Sequence, residues 1–266
     1  MSTYNLPPKP AKSGWKKLKK ILIFIAIIAL YVWTFVGVQI DWDRAIEQVV
    51  QNIGVVIPKL FTPEWSAIGE VGLKILETLF IAFAGSFMAA ILAIPLGFLA
   101  AQNMSKSRIL TGAGKWILSA VRAFPDIILA ILFVVAVGPN AFAGVLAIAI
   151  GSTGMLGKLY SEVVESIDMQ VVEAMEANGA NKVQVLFYGV MPQIIPEFLS
   201  YAIYRFEIDV RASSILGIVG AGGIGTMIVF AANNRDWSQM GLILLAIIIV
   251  VTVIDFASAR IRRKIV

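Results

Sequence analysis

Arg205, Glu207, Asp209 and Arg211 stand at alternate positions inside a largely apolar run from about Ile194 to Leu216. Arg205 with Asp209, and Glu207 with Arg211, are spaced i,i+4, where helical side chains meet, so two ion pairs are available on adjoining faces. Guanidiniums in such a place can also attract an anion. Upstream, Arg122 and Asp126 flank Pro125 in a second apolar run. Other chemistry has little to draw on. The chain has no His and no Cys, which removes imidazole bases, thiol nucleophiles, disulfides and most zinc or haem sites. Asp126, Glu207 and Asp209 form no recognisable catalytic pair, so neither an enzyme nor a metal site is expected.

Two glycine patterns suggest nucleotide chemistry and fail on their surroundings. Gly220-Ala221-Gly222-Gly223-Ile224-Gly225 fits G-x-G-x-x-G, but the dinucleotide fingerprint needs a strand before it and an acid about 20 residues on. Here a charged helical run precedes it, and Leu-Ala-Ile-Ile occupies the later position. Flexible backbone between two spans, near a pathway or its outer gate, is the better reading for Gly217, Gly220, Gly222, Gly223 and Gly225, because irregular backbone at membrane depth must be buried or line a cavity. Gly151 to Leu159 superficially resembles a phosphate loop. Its spacing is one residue too long for G-x-x-x-x-G-K, and Leu159 replaces the Ser or Thr that holds magnesium. Glycines 151, 154 and 157 read instead as close helix packing.

The charges set conditions on whatever positions them. Each costs about 2.5–3.5 kcal/mol at a helix centre in lipid, so four approach roughly 12 kcal/mol. Apolar residues return only about 0.3–0.6 kcal/mol each. The helix must therefore turn these groups toward protein or water. Pairing between helices and a place along a solute pathway both meet that condition.

The rest of the chain supplies such helices. It has 266 residues, 59% hydrophobic and 15% charged, with mean hydropathy +0.85, which excludes an ordinary soluble domain. A span needs roughly 20 apolar residues. Residues 1–20 form a basic cytoplasmic tail, its first 14 residues disordered, with Lys16, Lys17, Lys19 and Lys20 ahead of a first span at 21–40. No small-x-small cleavage pattern follows, so this is an uncleaved span. Residues 41–74, with Trp42 and Trp65 and balanced charge, suit an external loop with an interfacial helix. Residues 75–266 form the main transmembrane domain, with spans at about 75–101, 116–137, 141–160, 194–216 and 237–259. Lys106, Arg108 and Lys115, and finally Arg260, Arg262, Arg263 and Lys264, place loops and both termini in the cytoplasm by the positive-inside rule. The net charge of +5 lies beside spans, which argues for anionic lipid and against nucleic acid. The expected fold is all-α, with six transmembrane helices.

Between the fourth and fifth spans lies a polar block, Glu173-Ala174-Met175-Glu176-Ala177-Asn178-Gly179-Ala180 through to Pro192, cytoplasmic by the count of crossings. Gly179 permits a reversal between two short helices, giving a compact knob. The block, about 165–192, resembles the EAA loop of binding-protein-dependent ABC importer permeases: Glu-Ala-Ala, three residues, Gly, nine residues, Ile-x-Leu-Pro. Met175, Gly189 and Met191 depart from that pattern, while the spacing of Glu173, Ala174, Gly179 and Pro192 holds. The resemblance extends to Arg122-Ala123-Phe124-Pro125-Asp126, Gly144-Val145-Leu146, Gly154-Met155-Leu156-Gly157-Lys158 and Val210-Arg211-Ala212-Ser213-Ser214 with the glycines after Leu216. From about residue 70 onward the chain is most similar to permeases of phosphonate importers (PhnE).

That resemblance implies a type I importer permease fold with cytoplasmic coupling helices, in a bacterial plasma membrane. It implies a second permease copy (a homodimer), two ATP-binding ATPase subunits that hold ATP and magnesium, and an external substrate-binding protein. Glu173, Ala174, Glu176, Ala177, Gly179, Ala180 and Pro192 would couple to the ATPase. Arg122, Arg205, Arg211, Ser213 and Ser214 would contact a phosphorus oxyanion in the pathway. Alternatives are a permease for an amino acid or organosulfonate, and an ion-coupled secondary transporter. The latter calls for an internal repeat that is not evident.

Overall fold

The computed structural model describes residues 14–38, 41–104 and 107–265. The expected disordered tail, apart from its last residue Gly14, and Lys106 lie outside the described residues, as does the Lys16 side chain. All regular structure among the described residues is helical. The chain divides into two compact units, residues 1–57 and 58–266.

The first unit holds α1 (Gly14–Gly37) and most of α2 (Trp42–Leu60). Lys17–Gly37 is long and apolar enough to cross a membrane, and none of it is buried. In α2, Trp42, Ile46, Val49, Val50, Ile53, Val56 and Ile57 share one face, while Arg44, Glu47, Gln48, Gln51 and Asn52 take the other. The interfacial helix expected within 41–74 therefore corresponds to an amphipathic helix.

In the second unit, α3 (Ile68–Ala100) packs most extensively on α6 (Ala141–Ser166). Small residues permit the approach: a Cβ on Gly85 would lie 2.7 Å from Ile148, and one on Gly97 2.8 Å from Tyr160. The span expected to begin near residue 75 begins at Ile68. Lys74 pairs with Glu77 at 2.8 Å, one turn away, so its charge does not end the helix.

The expected third span is two helices, α4 (Arg108–Arg122) and α5 (Asp126–Val137), bent by 82°. Pro125 explains the break. It disfavours helical backbone at Phe124, and its carbonyl accepts the first bond of α5, from Ile128 at 2.9 Å. α5 is about 18 Å long, too short to cross alone.

After α7 (Met169–Ala177), α8 (Lys182–Gln184) leads through a π turn at Val185–Val190 into α9 (Met191–Leu216). Pro192 cannot donate to the carbonyl one turn back and its ring crowds it, and the wider π turn relieves both. α9 meets α10 (Ile224–Asn233) at a glycine break, and α11 (Trp237–Ile265) closes the bundle. Among the described residues, four helices are long and apolar enough to cross a membrane, or up to six when each bent pair counts as one span.

Candidate functional site

α9 turns Arg205 and Asp209 to one buried face, where they are 7% and 0% exposed. One Asp209 oxygen accepts from Arg205 Nε at 2.9 Å, the other from Ser86 Oγ at 2.7 Å. Ser152 Oγ lies 2.9 Å from both. Ser86 belongs to α3 and Ser152 to α6, so one carboxylate ties three helices together. Arg205 also reaches Ser152 Oγ at 2.8 Å, Met155 Sδ at 3.1 Å and Asp126 Oδ2 of α5 at 3.4 Å. Burial of these charges is sustained because each oxygen of Asp209 has a donor and Arg205 faces carboxylates.

The second expected pair lies on the adjoining face. Arg211 meets Glu207 at 2.8 Å and Asp255 of α11 at 2.8 Å. Glu207 meets Arg262 at 3.1 Å, and Arg262 stacks over Tyr204 at 5.4 Å. These contacts also place the layer along α11. Asp255 lies about 27 Å along α11 from Trp237, close to the full thickness of a hydrocarbon core. Asp255 and Arg262 thus bring the basic end of α11 to this layer of charges.

The other candidate residues divide by exposure. Arg122 ends α4, exposed, and no carboxylate among the described residues pairs with it. Arg211 is 46% exposed despite its two partners. Ser213 and Ser214 are buried: both hydroxyls donate to the Val210 carbonyl, and Ser213 also to that of Thr78.

The glycine segment, which the sequence reads as flexible backbone near a pathway or its outer gate, forms a hydrogen-bonded turn. Gly217 starts a short 3-10 turn, and Gly220, Gly222 and Gly223 have φ of +89°, +80° and +75°. Glu77 Oε1 accepts from Gly223 N at 3.0 Å, and Thr78 Oγ1 from Ile224 N at 2.7 Å. Gly225 lies against Gly217, where a Cβ would be 2.7 Å from the Gly217 Cα. Thr78 stands about 15 Å along α3 from Ile68, so the turn lies within the bundle, where its amides need these partners.

The polar block forms the expected knob, with one difference. α7 ends at Ala177, and Gly179, with φ of +84°, reverses the chain just beyond it. Asn181 and Gln184 form a capping box at 2.9 and 2.8 Å. The second arm, however, is no separate short helix: it runs through the π turn into α9. Val172, Met175 and Val185 anchor the knob on Tyr160, Val164, Ile194 and Phe198. Glu173, Ala174, Glu176, Ala177, Gly179 and Pro192 are exposed, and Ala180 is half-buried. Ala174, Met175 and Ala180 line an open hollow of about 400 Å³. Met175 and Gly189, two of the departures from the loop pattern, face each other: a Cβ on Gly189 would lie 3.0 Å from Met175 Sδ. The bulk gained at one position is given up at the other.

Sequence reasoning missed Ser86 and Ser152, which carry no pattern of their own, and Glu77 with Thr78, which anchor the glycine turn. It also missed Phe187 and Tyr188 on the knob, 57% and 74% exposed. Large exposed aromatics beside a capped turn suit a docking surface.

Residues 93–266 match the family described as binding-protein-dependent transport system inner membrane component. The chain is 34% identical over 249 residues to the phosphite transport system permease protein PtxC of Stutzerimonas stutzeri, covering 94% of this chain and 90% of that protein. It is 44% identical over 118 residues to the putative cryptic phosphonate transport system permease protein PhnE2 of Escherichia coli, covering 44% of this chain and 97% of that one. Among solved structures, an inward-facing MetNI methionine ABC transporter chain superposes with TM-score 0.68 at 22% identity, covering 76% of this chain and 99% of that chain. The chain belongs to the binding-protein-dependent transport permeases: it is an ABC importer permease subunit of type I fold, a family that works with a separate ATPase and a substrate-binding protein.

Proposed function

We propose that the chain forms the translocation pathway for phosphorus oxyanions, among them phosphite, phosphonates and phosphate. The observation that carries the reading is the identity with a phosphite permease over nearly the whole chain. Arg122 supports it chemically, since an exposed guanidinium without a carboxylate partner suits transient contact with a tetrahedral oxyanion. Arg211, half-exposed, is a second contact. No tight site in the permease is required, because the external binding protein supplies affinity.

In this reading two copies of the chain enclose the pathway, with both termini in the cytoplasm of a bacterium. Two ATPase subunits, holding ATP and magnesium, dock on the knob through Glu173, Ala174, Glu176, Ala177, Gly179 and Ala180. Their closure moves the knob, and α9, continuous with it through the π turn, carries that motion into the bundle. The test is phosphite uptake by an Arg122→Ala variant with assembly measured separately. Uptake falls at least about tenfold, the worth of one charge-assisted contact. Unchanged uptake in an assembled complex removes Arg122 from the pathway.

A further inference from the structure

The buried cluster holds one carboxylate more than its charge balance needs. Arg205 and Asp209 neutralise each other at 2.9 Å, and Asp209 is fully served by Ser86 and Ser152. Asp126 adds a second negative charge beside them. Arg122, facing the next glycine of α6, is exposed and forms no bond to either acid. A surplus charge at such a place does not serve folding, because removing Asp126 would leave a neutral pair.

Three features of Asp126 point elsewhere. It is the first residue of α5, directly after the 82° bend. Its bond to Arg205, at 3.4 Å, is the longest in the cluster, and its side chain is 35% exposed where Arg205 and Asp209 are buried. Its carboxylate also lies where any side chain on Gly151 of α6 would stand, so α6 provides a slot that fits it.

We propose that Asp126 is a releasable latch: it holds α5 to α9 through Arg205, and its release lets α5 swing about the α4–α5 bend during transport. Asp209 is the permanent anchor and Asp126 the positioning residue whose bond opens. The inference rests on the permease reading but not on the identity of the cargo.

The chain has no cysteine, so single introduced thiols report local opening. Leu129→Cys and Ala130→Cys, buried on α5, are labelled with a membrane-permeant maleimide in the complex with ATPase, with and without Asp126→Ala. Ala93→Cys, buried on α3, is the control. Asp126→Ala raises α5 labelling about tenfold, the effect of losing a hydrogen bond between charged groups, leaves Ala93→Cys unchanged, and lowers phosphite uptake by a similar factor. Unchanged α5 labelling overturns the latch, as does increased labelling at Ala93→Cys, which marks general loosening. Increased α5 labelling with full uptake also overturns it, because the swing would then not gate transport. Should phosphite not be carried by the unaltered chain, the cargo reading fails while the labelling comparison still decides the latch.

Discussion

Replacing Asp209 by Ala isolates the energetics of the cluster. The substitution removes a wholly buried carboxylate and leaves Arg205, 7% exposed, with Asp126 at 3.4 Å as its remaining carboxylate, beside Ser152 Oγ and Met155 Sδ. Breaking a buried pair from one side costs about 3–5 kcal/mol when the remaining charge is left uncompensated, and because the partly exposed Asp126 compensates Arg205 in part, the loss lies at the lower end, about 3 kcal/mol. Ser86 and Ser152 add little, since a helical serine can turn its hydroxyl to a carbonyl in the preceding turn. Against a total stability of about 5–15 kcal/mol, the loss is a large fraction, and for a domain of this size it lowers Tm by roughly 10 °C. Thermal unfolding of the detergent-solubilised chain, followed by near-UV circular dichroism, reads this directly. The double variant Arg205→Met with Asp209→Leu recovers most of the loss, since a packed apolar pair replaces a buried ion pair at little or no cost. A single variant within about 1 kcal/mol of the unaltered chain would refute the argument. So would a double variant no more stable than the single, because the penalty would then not arise from a stranded charge.

Two further outcomes concern the knob. Gly189→Ile places a side chain on Met175 and lowers stability by about 1–3 kcal/mol, whereas adding Met175→Ala restores it; equal Tm values for single and double variants would contradict their compensation. Phe187→Ala with Tyr188→Ala, both exposed, changes stability by no more than about 0.5 kcal/mol but weakens ATPase binding at least about tenfold, read by surface plasmon resonance of the solubilised chain.

What could be read from the sequence follows from how local the cause is. The i,i+4 pairs Arg205–Asp209 and Glu207–Arg211 are helical geometry, and both form. Gly179 turns the chain because its conformation is set within four residues. Pro125 disfavours helix at Phe124, but the 82° angle depends on how α4 and α5 each meet α6 through Leu118 and Asp126. The bonds of the glycine turn could not be read, because they come from Glu77 and Thr78, 146 residues earlier in the chain. Ser86 and Ser152 were invisible for the same reason: a serine on a small-residue helix face gains meaning only when Asp209 is placed against it. The contact between Glu207 and Arg262, near the end of α11, was invisible too, since hydropathy along α9 alone does not reveal it.

The central claim is that this permease passes phosphorus oxyanions in step with a partner's ATP hydrolysis. Its most direct test is ATPase activity of the reconstituted complex with its binding protein, comparing phosphite, methylphosphonate, phosphate and methionine. Stimulation by at least one of the phosphorus oxyanions, and none by methionine, is the predicted result. Stimulation by methionine with no response to any phosphorus oxyanion would contradict it.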